Sequence, residues 1–145
     1  MTKKGYRNLL WGISVFGVLC FIFKNSLMLA SASSEESGSF FELLRSVFPS
    51  ITHHTVRKLA HLSEYALLGA HFALIPYLWK TPTRITLPVM LLFGTLVGVL
   101  DEGIQRFVPG RGASLADVAL DSFGYLVGLV LVFALLRLRK ERRHA

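Results

Sequence analysis

Hydrophobic residues fall in four long blocks, Leu9–Phe23, Leu59–Trp79, Ile85–Leu100 and Leu115–Leu136, separated by short polar segments. A helix of about 20 residues crosses the hydrocarbon of a bilayer, so the second and fourth blocks reach spanning length unaided. The first and third, roughly 15 and 16 residues long, reach it only with flanking Tyr6–Leu10 and Asp101–Ile104, whose charges snorkel or face inward. The pattern predicts an all-α, polytopic membrane protein with four transmembrane helices in a single domain over residues 1–145. Ser31–Ser39 (SASSEESGS) reads as an exposed loop. Phe40–Phe48 (FFELLRSVF) sets apolar positions 40, 41, 43, 44, 47 and 48 around Glu42, Arg45 and Ser46. That spacing predicts a short amphipathic helix ended by Pro49, lying on the outer membrane surface or capping the bundle. Lys80–Arg84, with Pro82, is a tight connection, and Pro109-Gly110-Arg111-Gly112 is a turn signal.

Composition agrees with the membrane reading. The chain is 52% hydrophobic with mean hydropathy +0.51, too apolar for an ordinary soluble domain of 145 residues. A net charge of +7 would suggest nucleic acid in a soluble protein, but its distribution points elsewhere. Lys3, Lys4, Arg7, Lys80, Arg84, Arg137, Arg139, Lys140, Arg142 and Arg143 share one side of the predicted bundle, with Glu141 as the sole acid. The other eight acids fall on the opposite side. This is the positive-inside asymmetry, predicting both termini in the cytoplasm and no nucleic-acid partner. The basic tail is first a topology anchor and secondarily a contact for anionic lipid. A basic start, an apolar run and Ala30-Ser31-Ala32 imitate a cleavable signal peptide, yet Lys24 and Asn25 interrupt the pattern, so Met1–Phe23 reads as a retained helix. Cys20, the single cysteine, has no disulfide partner or metal-ligand spacing and reads as a small, buried packing residue.

The polar residues inside these blocks carry direction. At about 100° per residue, Lys58, His61 and Tyr65 lie in one arc of the second helix with Glu64 at its border. Gly94, Gly98, Asp101, Glu102 and Gln105 share a face of the third, and Asp117, Asp121, Gly124 and Gly128 run down one line of the fourth. Ionisable groups in hydrocarbon are costly and face the protein interior or a wet cavity, while glycines let helices approach closely. Three stripes at the same depth, in the outer half of the membrane, predict a polar cleft opening outward. The first helix, with Gly12 and Gly17 but no acid, appears in this reading as a support.

Five carboxyls (Glu64, Asp101, Glu102, Asp117 and Asp121) are opposed by Lys58, Arg111, Arg57 and Arg106. Three chemistries remain open. In an enzyme acting on a lipid-linked substrate, His61 and Glu64, one turn apart, could act as base and orienter, with Glu102 and Asp117 as further catalytic carboxyls. In a binding protein, Lys58, Tyr65, Asp101, Gln105, Arg111 and Asp121 would hold an envelope lipid or cell-wall precursor, with Arg111 and Lys58 on its phosphate or carboxylate. A divalent cation on His61, Glu64, Glu102 and Asp117 is the third, its oxygen-rich set suiting Mg²⁺ or Ca²⁺ more than Zn²⁺. No cofactor motif and no activated nucleophile stands out, and Ser114 has no base partner in the sequence. His53 and His54 read as exposed loop residues; His71, two turns below Glu64, reads as a neutral histidine hydrogen-bonded within the bundle.

Lys58-x-x-His61-x-x-Glu64-Tyr65, Glu102-x-x-Gln105-x-Phe107-x-Pro109-x-Arg111 and Asp117-x-x-x-Asp121-x-x-Gly124 together resemble the VanZ-like family of small membrane proteins, most strongly over residues 58–128. Asn25–Ser34 is similar more loosely. The chain departs at Asp121, where the family often has Asn, which adds an acid at the deepest position. The resemblance implies a four- or five-helix, multi-pass protein of the bacterial cytoplasmic membrane in contact with membrane lipids. It also implies a connection to teicoplanin-type glycopeptide resistance, the trait of the family's namesake.

Overall fold

The computed structural model describes residues 2–28 and 38–142, and among these the chain is helical without a strand. The helices are α1 (Lys3–Leu27), α2 (Gly38–Val47), α3 (His53–Phe72), α4 (Ile75–Trp79), α5 (Thr83–Gln105) and α6 (Leu115–Glu141). Three of them, α1, α5 and α6, are long and apolar enough to cross a membrane. Residues 31–37 of the expected loop, and the whole Ala30-Ser31-Ala32 cleavage pattern, lie outside the described residues; Gly38 and Ser39 open α2.

Polar side chains start the helices where the apolar pattern begins. Thr2 accepts the Gly5 amide at 3.2 Å, Thr52 the Thr55 amide at 3.2 Å, and Ser114 the Ala116 amide at 3.1 Å. Each satisfies one of the amides that a helix start leaves without an internal partner. On α6, Asp117 in the first turn and Arg139 and Lys140 in the last complement the helix dipole. The two short apolar blocks become helices of 25 and 23 residues, because α1 and α5 take in their polar flanks.

The second apolar block is not one helix. α3 begins at His53, so His53 and His54 stand in its first turn and not in a loop, and it ends at Phe72. Proline at position 76 lacks an amide hydrogen, and its ring collides with the carbonyl four residues earlier, at Phe72. After Ala73 and Leu74 the chain resumes as α4. Side chains of α1 bind carbonyls around this break: Trp11 Nε1 donates to His71 O at 2.9 Å and an Arg7 Nη to Leu78 O at 2.8 Å. His71 is held as expected, Nδ1 2.8 Å from Leu67 O and Nε2 2.7 Å from Ser14 Oγ.

α6 packs most extensively on α3 and next on α5, while α1 lies across α3 and α5. Glycine sets the α3–α6 approach. A Cβ at Gly124 would stand 2.5 Å from Leu62 O, and one at Gly128 or Gly69 would run into the carbonyl oxygen of Ala66 or Tyr125. Gly94 makes room for the Tyr125 ring, 2.5 Å from where its Cβ would be. Gly98 is different from the expectation: its Cβ would meet Asp121 Cβ at 3.5 Å, an ordinary contact, and Gly12 and Gly17 face open space. Tyr65, Leu68, Tyr125 and Leu129 are fully buried, and Phe72 stacks on Phe93 with ring centroids 4.6 Å apart. The outside is equally apolar: Phe16 is 68% exposed, Leu92 61% and Leu131 57%, a surface suited to lipid and not to water, and Cys20 of α1, expected to be buried, is exposed on it.

Near the start of α3, Phe41 of α2 is buried and stacks on the His53 ring at 3.6 Å, with the Arg45 guanidinium 5.9 Å above the phenyl ring. Leu43, Val47 and Phe48 are exposed.

Candidate functional site

The C-terminal ends of α1 and α5 and the N-terminal ends of α3 and α6 meet at one end of the bundle. Asp101, fully buried on α5, lies at the centre. Ser26 Oγ of α1 donates to its Oδ1, and Gln105 Nε2, one turn on, donates to Oδ2 at 3.0 Å. His61 Nδ1 of α3 stands 3.6 Å from the same Oδ2. Asn25 Nδ2 donates to Glu64 Oε1 at 2.7 Å, so α1 contacts two of the acids. Across the site, Lys58 Nζ pairs with Asp117 Oδ1 at 2.6 Å, tying α3 to α6. The Ser114 amide donates to Glu102 Oε2 at 2.8 Å and ties the start of α6 to α5.

Arg111 arrives by a different route. α5 ends at Gln105, and Val108-Pro109-Gly110-Arg111 closes a β-turn in which the Arg111 amide donates to Val108 O at 3.1 Å. Gly110 has φ 79°, left-handed backbone that glycine adopts without a side-chain clash. The Pro-Gly pair thus returns the chain over the site. The Nε and Nη1 of Arg111 are buried, and among the described residues neither has a hydrogen-bond partner. Burial, then the nearby Arg57 charge, pull the guanidinium below its ordinary pKa, while Asp101, Glu64 and Glu102 oppose the shift. An arginine remains charged through such a shift.

Between α3, α5, α6 and the turn lies a cavity of ≈160 Å³. Its wall combines the cations Arg57, Lys58 and Arg111 with His54, His61, Glu102, Gln105, Asp117 and Asp121. Arg106, also expected to oppose the acids, is exposed and takes no part in the wall. Glu64 and Asp101 belong to the buried network behind the wall and Tyr65 to the apolar core beside them, its hydroxyl without a hydrogen-bond partner among the described residues, although all ten sequence candidates sit at this end. The neighbour that His61 faces is Asp101, not Glu64, which is held by Asn25. The four residues expected to share a cation are divided: Glu64, Glu102 and Asp117 each have another partner. Ser114 caps α6 through its hydroxyl and is a structural residue.

Asn25 and Ser26 are not among the residues that the helical stripes mark, because the first apolar block carries no acid. Their signal was a pair of small polar residues at the end of the first apolar block, at the same membrane level as the acids. Of the other acids, Asp117 pairs with Lys58, which the stripes already marked, while Glu102 is held by the backbone amide of Ser114, which no side-chain pattern records.

The architecture defines a multi-pass helical membrane protein with a buried polar network at one end of its bundle. The VanZ/LLP1 family model matches residues 11–137, which covers α1 through most of α6, and the chain belongs to that family. No curated protein and no solved structure matches the chain.

Proposed function

We propose that this chain is a four-span protein of the bacterial cytoplasmic membrane whose polar cavity opens outward and binds the anionic head group of an envelope lipid or lipid-linked cell-wall precursor, contributing to teicoplanin-type resistance. The observation that carries the reading is Arg111, whose buried Nε and Nη1 have no hydrogen-bond partner among the described residues, in a cavity also lined by Arg57 and Lys58. A planar guanidinium binds phosphate or carboxylate through two parallel hydrogen bonds, which ammonium cannot reproduce. At ≈160 Å³ the cavity suits a head-group fragment, leaving acyl chains against the apolar exterior.

The fourth span is supported by connectivity. α1 ends at the site and α5 begins at the opposite end, so α3 and α4 must carry the chain back between them. With the basic residues placed in the cytoplasm, both termini are cytoplasmic and α2 lies at the outer surface with Leu43, Val47 and Phe48 toward lipid. Cytoplasmic reporters fused after Lys80 and Ala145, and an export-dependent reporter near Gly38, should all be active. A cytoplasmic signal at Gly38 would remove the outward orientation.

The binding test is native mass spectrometry of the detergent-purified chain with phosphatidylglycerol, undecaprenyl phosphate and phosphatidylcholine. Binding is expected for the anionic lipids and should weaken by about tenfold or more in Arg111→Lys. Equal retention of phosphatidylcholine, or no change in Arg111→Lys, contradicts the reading. In cells, teicoplanin resistance per molecule of membrane-inserted protein should fall in the same variant and in Glu102→Gln.

The second reading is an enzyme acting on such a lipid, and the His61–Asp101 pair favours it. Asp101 is oriented by Ser26 and Gln105, and its Oδ2, 3.6 Å from His61 Nδ1, would orient the imidazole as a general base on closing to hydrogen-bond distance with substrate bound. Turnover of a bound lipid, followed by chromatography, separates it from binding alone.

A further inference from the structure

We propose that His61, Asp101 and Asp121 form a divalent-cation site beside the cavity. One nitrogen of His61 and one carboxylate oxygen from each aspartate lie within 4.8 Å of one another. The 3.6 Å separation of His61 Nδ1 and Asp101 Oδ2 is too long for a hydrogen bond. It is close to the spacing of two ligands on one ion, about 3.4 Å when each bond is about 2.1 Å in tetrahedral geometry.

A second observation is independent of this spacing. Asp121 is 1% exposed, lines the cavity, and its Oδ2 has no hydrogen-bond partner among the described residues. A carboxyl in that condition either takes up a proton or pairs with a cation. Lys58, which lines the same cavity, pairs instead with Asp117 at 2.6 Å. A cation between the three residues would answer the open oxygen and the negative charge together.

The surroundings resemble those of a metal ligand. Ser26 and Gln105 both donate to Asp101, as outer partners that fix a coordinating carboxylate. One imidazole nitrogen with two carboxylate oxygens suits Mn²⁺ or Zn²⁺, while Ca²⁺ prefers oxygen alone. This differs from the grouping drawn from the sequence, since only His61 is common to both. The ion would add positive charge next to Arg111 and so strengthen the site's hold on an anion. The cation site itself requires no particular occupant of the cavity. Lipid binding and cation binding are separate measurements, so the failure of one leaves the other standing.

The test uses the full chain, purified in detergent, stripped of metal and free of added lipid. Isothermal titration with MnCl₂ and with ZnCl₂ should show one saturable ion per chain for at least one of the two. Asp121→Asn and His61→Gln, both close in shape to the residues they replace, should each weaken that affinity by about tenfold or more. The Mn²⁺-loaded wild type should also show ¹⁴N coupling in electron spin echo spectra, from an imidazole ligand. The absence of saturable binding to the wild type overturns the site, as does undiminished binding in both variants. If either variant fails to fold, the wild-type spectrum decides: bound Mn²⁺ without ¹⁴N coupling excludes His61 as a ligand.

Discussion

α3 and α6 meet in two very different ways along one interface. Around Gly124, Gly128 and Gly69 the two backbones touch, with no space for a methyl group. One to three turns away, Lys58 and Asp117 span the same pair of helices and a cavity of ≈160 Å³ opens beside them. Both halves escape lipid, but by different physics. In the glycine half, shape excludes everything, and dispersion between close backbones holds the helices. In the polar half, hydrogen bonds and ion pairs hold side chains that lipid cannot solvate, and some polar atoms remain open. The rigid half fixes the frame on which the open half can wait for a ligand.

The largest expected effect breaks the glycine half. Gly128→Leu drives a side chain into the Ala66 carbonyl and should cost about 3 kcal/mol or more, an overpacking penalty at the upper end of what cores show. It would be read as loss of monodisperse protein in detergent and a lower Tm. A normal Tm would mean that α3 and α6 do not pack here.

Next in size are the two contacts that α1 makes with the polar half. Ser26→Ala removes a donor to fully buried Asp101, and Asn25→Ala leaves Glu64 Oε1 without its partner. Each should cost about 1–3 kcal/mol, the penalty for stranding a buried polar group. Thermal unfolding in detergent tests both. If neither variant changes Tm, α1 only leans on the bundle, as the sequence suggested.

A smaller effect, of opposite sign, sharpens the boundary between the halves. Gly98→Ala meets only ordinary contact with Asp121 Cβ at 3.5 Å and gains helix propensity, so it should leave Tm unchanged or raise it by the equivalent of about 0.5–1 kcal/mol. A marked loss would extend the close-packed half onto α5. The smallest effects belong to Gly12→Ala and Gly17→Ala, which face open space and should stay within about 0.5 kcal/mol of the wild type.

Much of this was legible in the chain. Three apolar runs became helices able to cross a membrane, because apolar length and period are local properties. That the acids share one end of the bundle followed from counting residues, and all ten candidates did gather there. The Pro109-Gly110 signal became the turn that delivers Arg111, since left-handed backbone is a glycine property wherever it occurs. Less legible was the break before Pro76: its apolar neighbours hide a helix end, although the proline itself was there to be read.

What the sequence by itself determined is that the protein is helical, membrane-borne and polar at one end, because hydrophobic period and burial cost act along the chain. Only the tertiary structure decided who partners whom. Helical spacing placed Glu64 beside His61, but space between helices gave Glu64 to Asn25 and put Asp101 and Asp121 beside the imidazole. It likewise made Gly128 a backbone-to-backbone contact and Gly98 an ordinary one with room for a methyl group, two glycines that look alike on a helical projection. A projection records which face a residue occupies and not how near the neighbouring helix comes, and hydrogen bonds, ion pairs and metal ligation all depend on that distance.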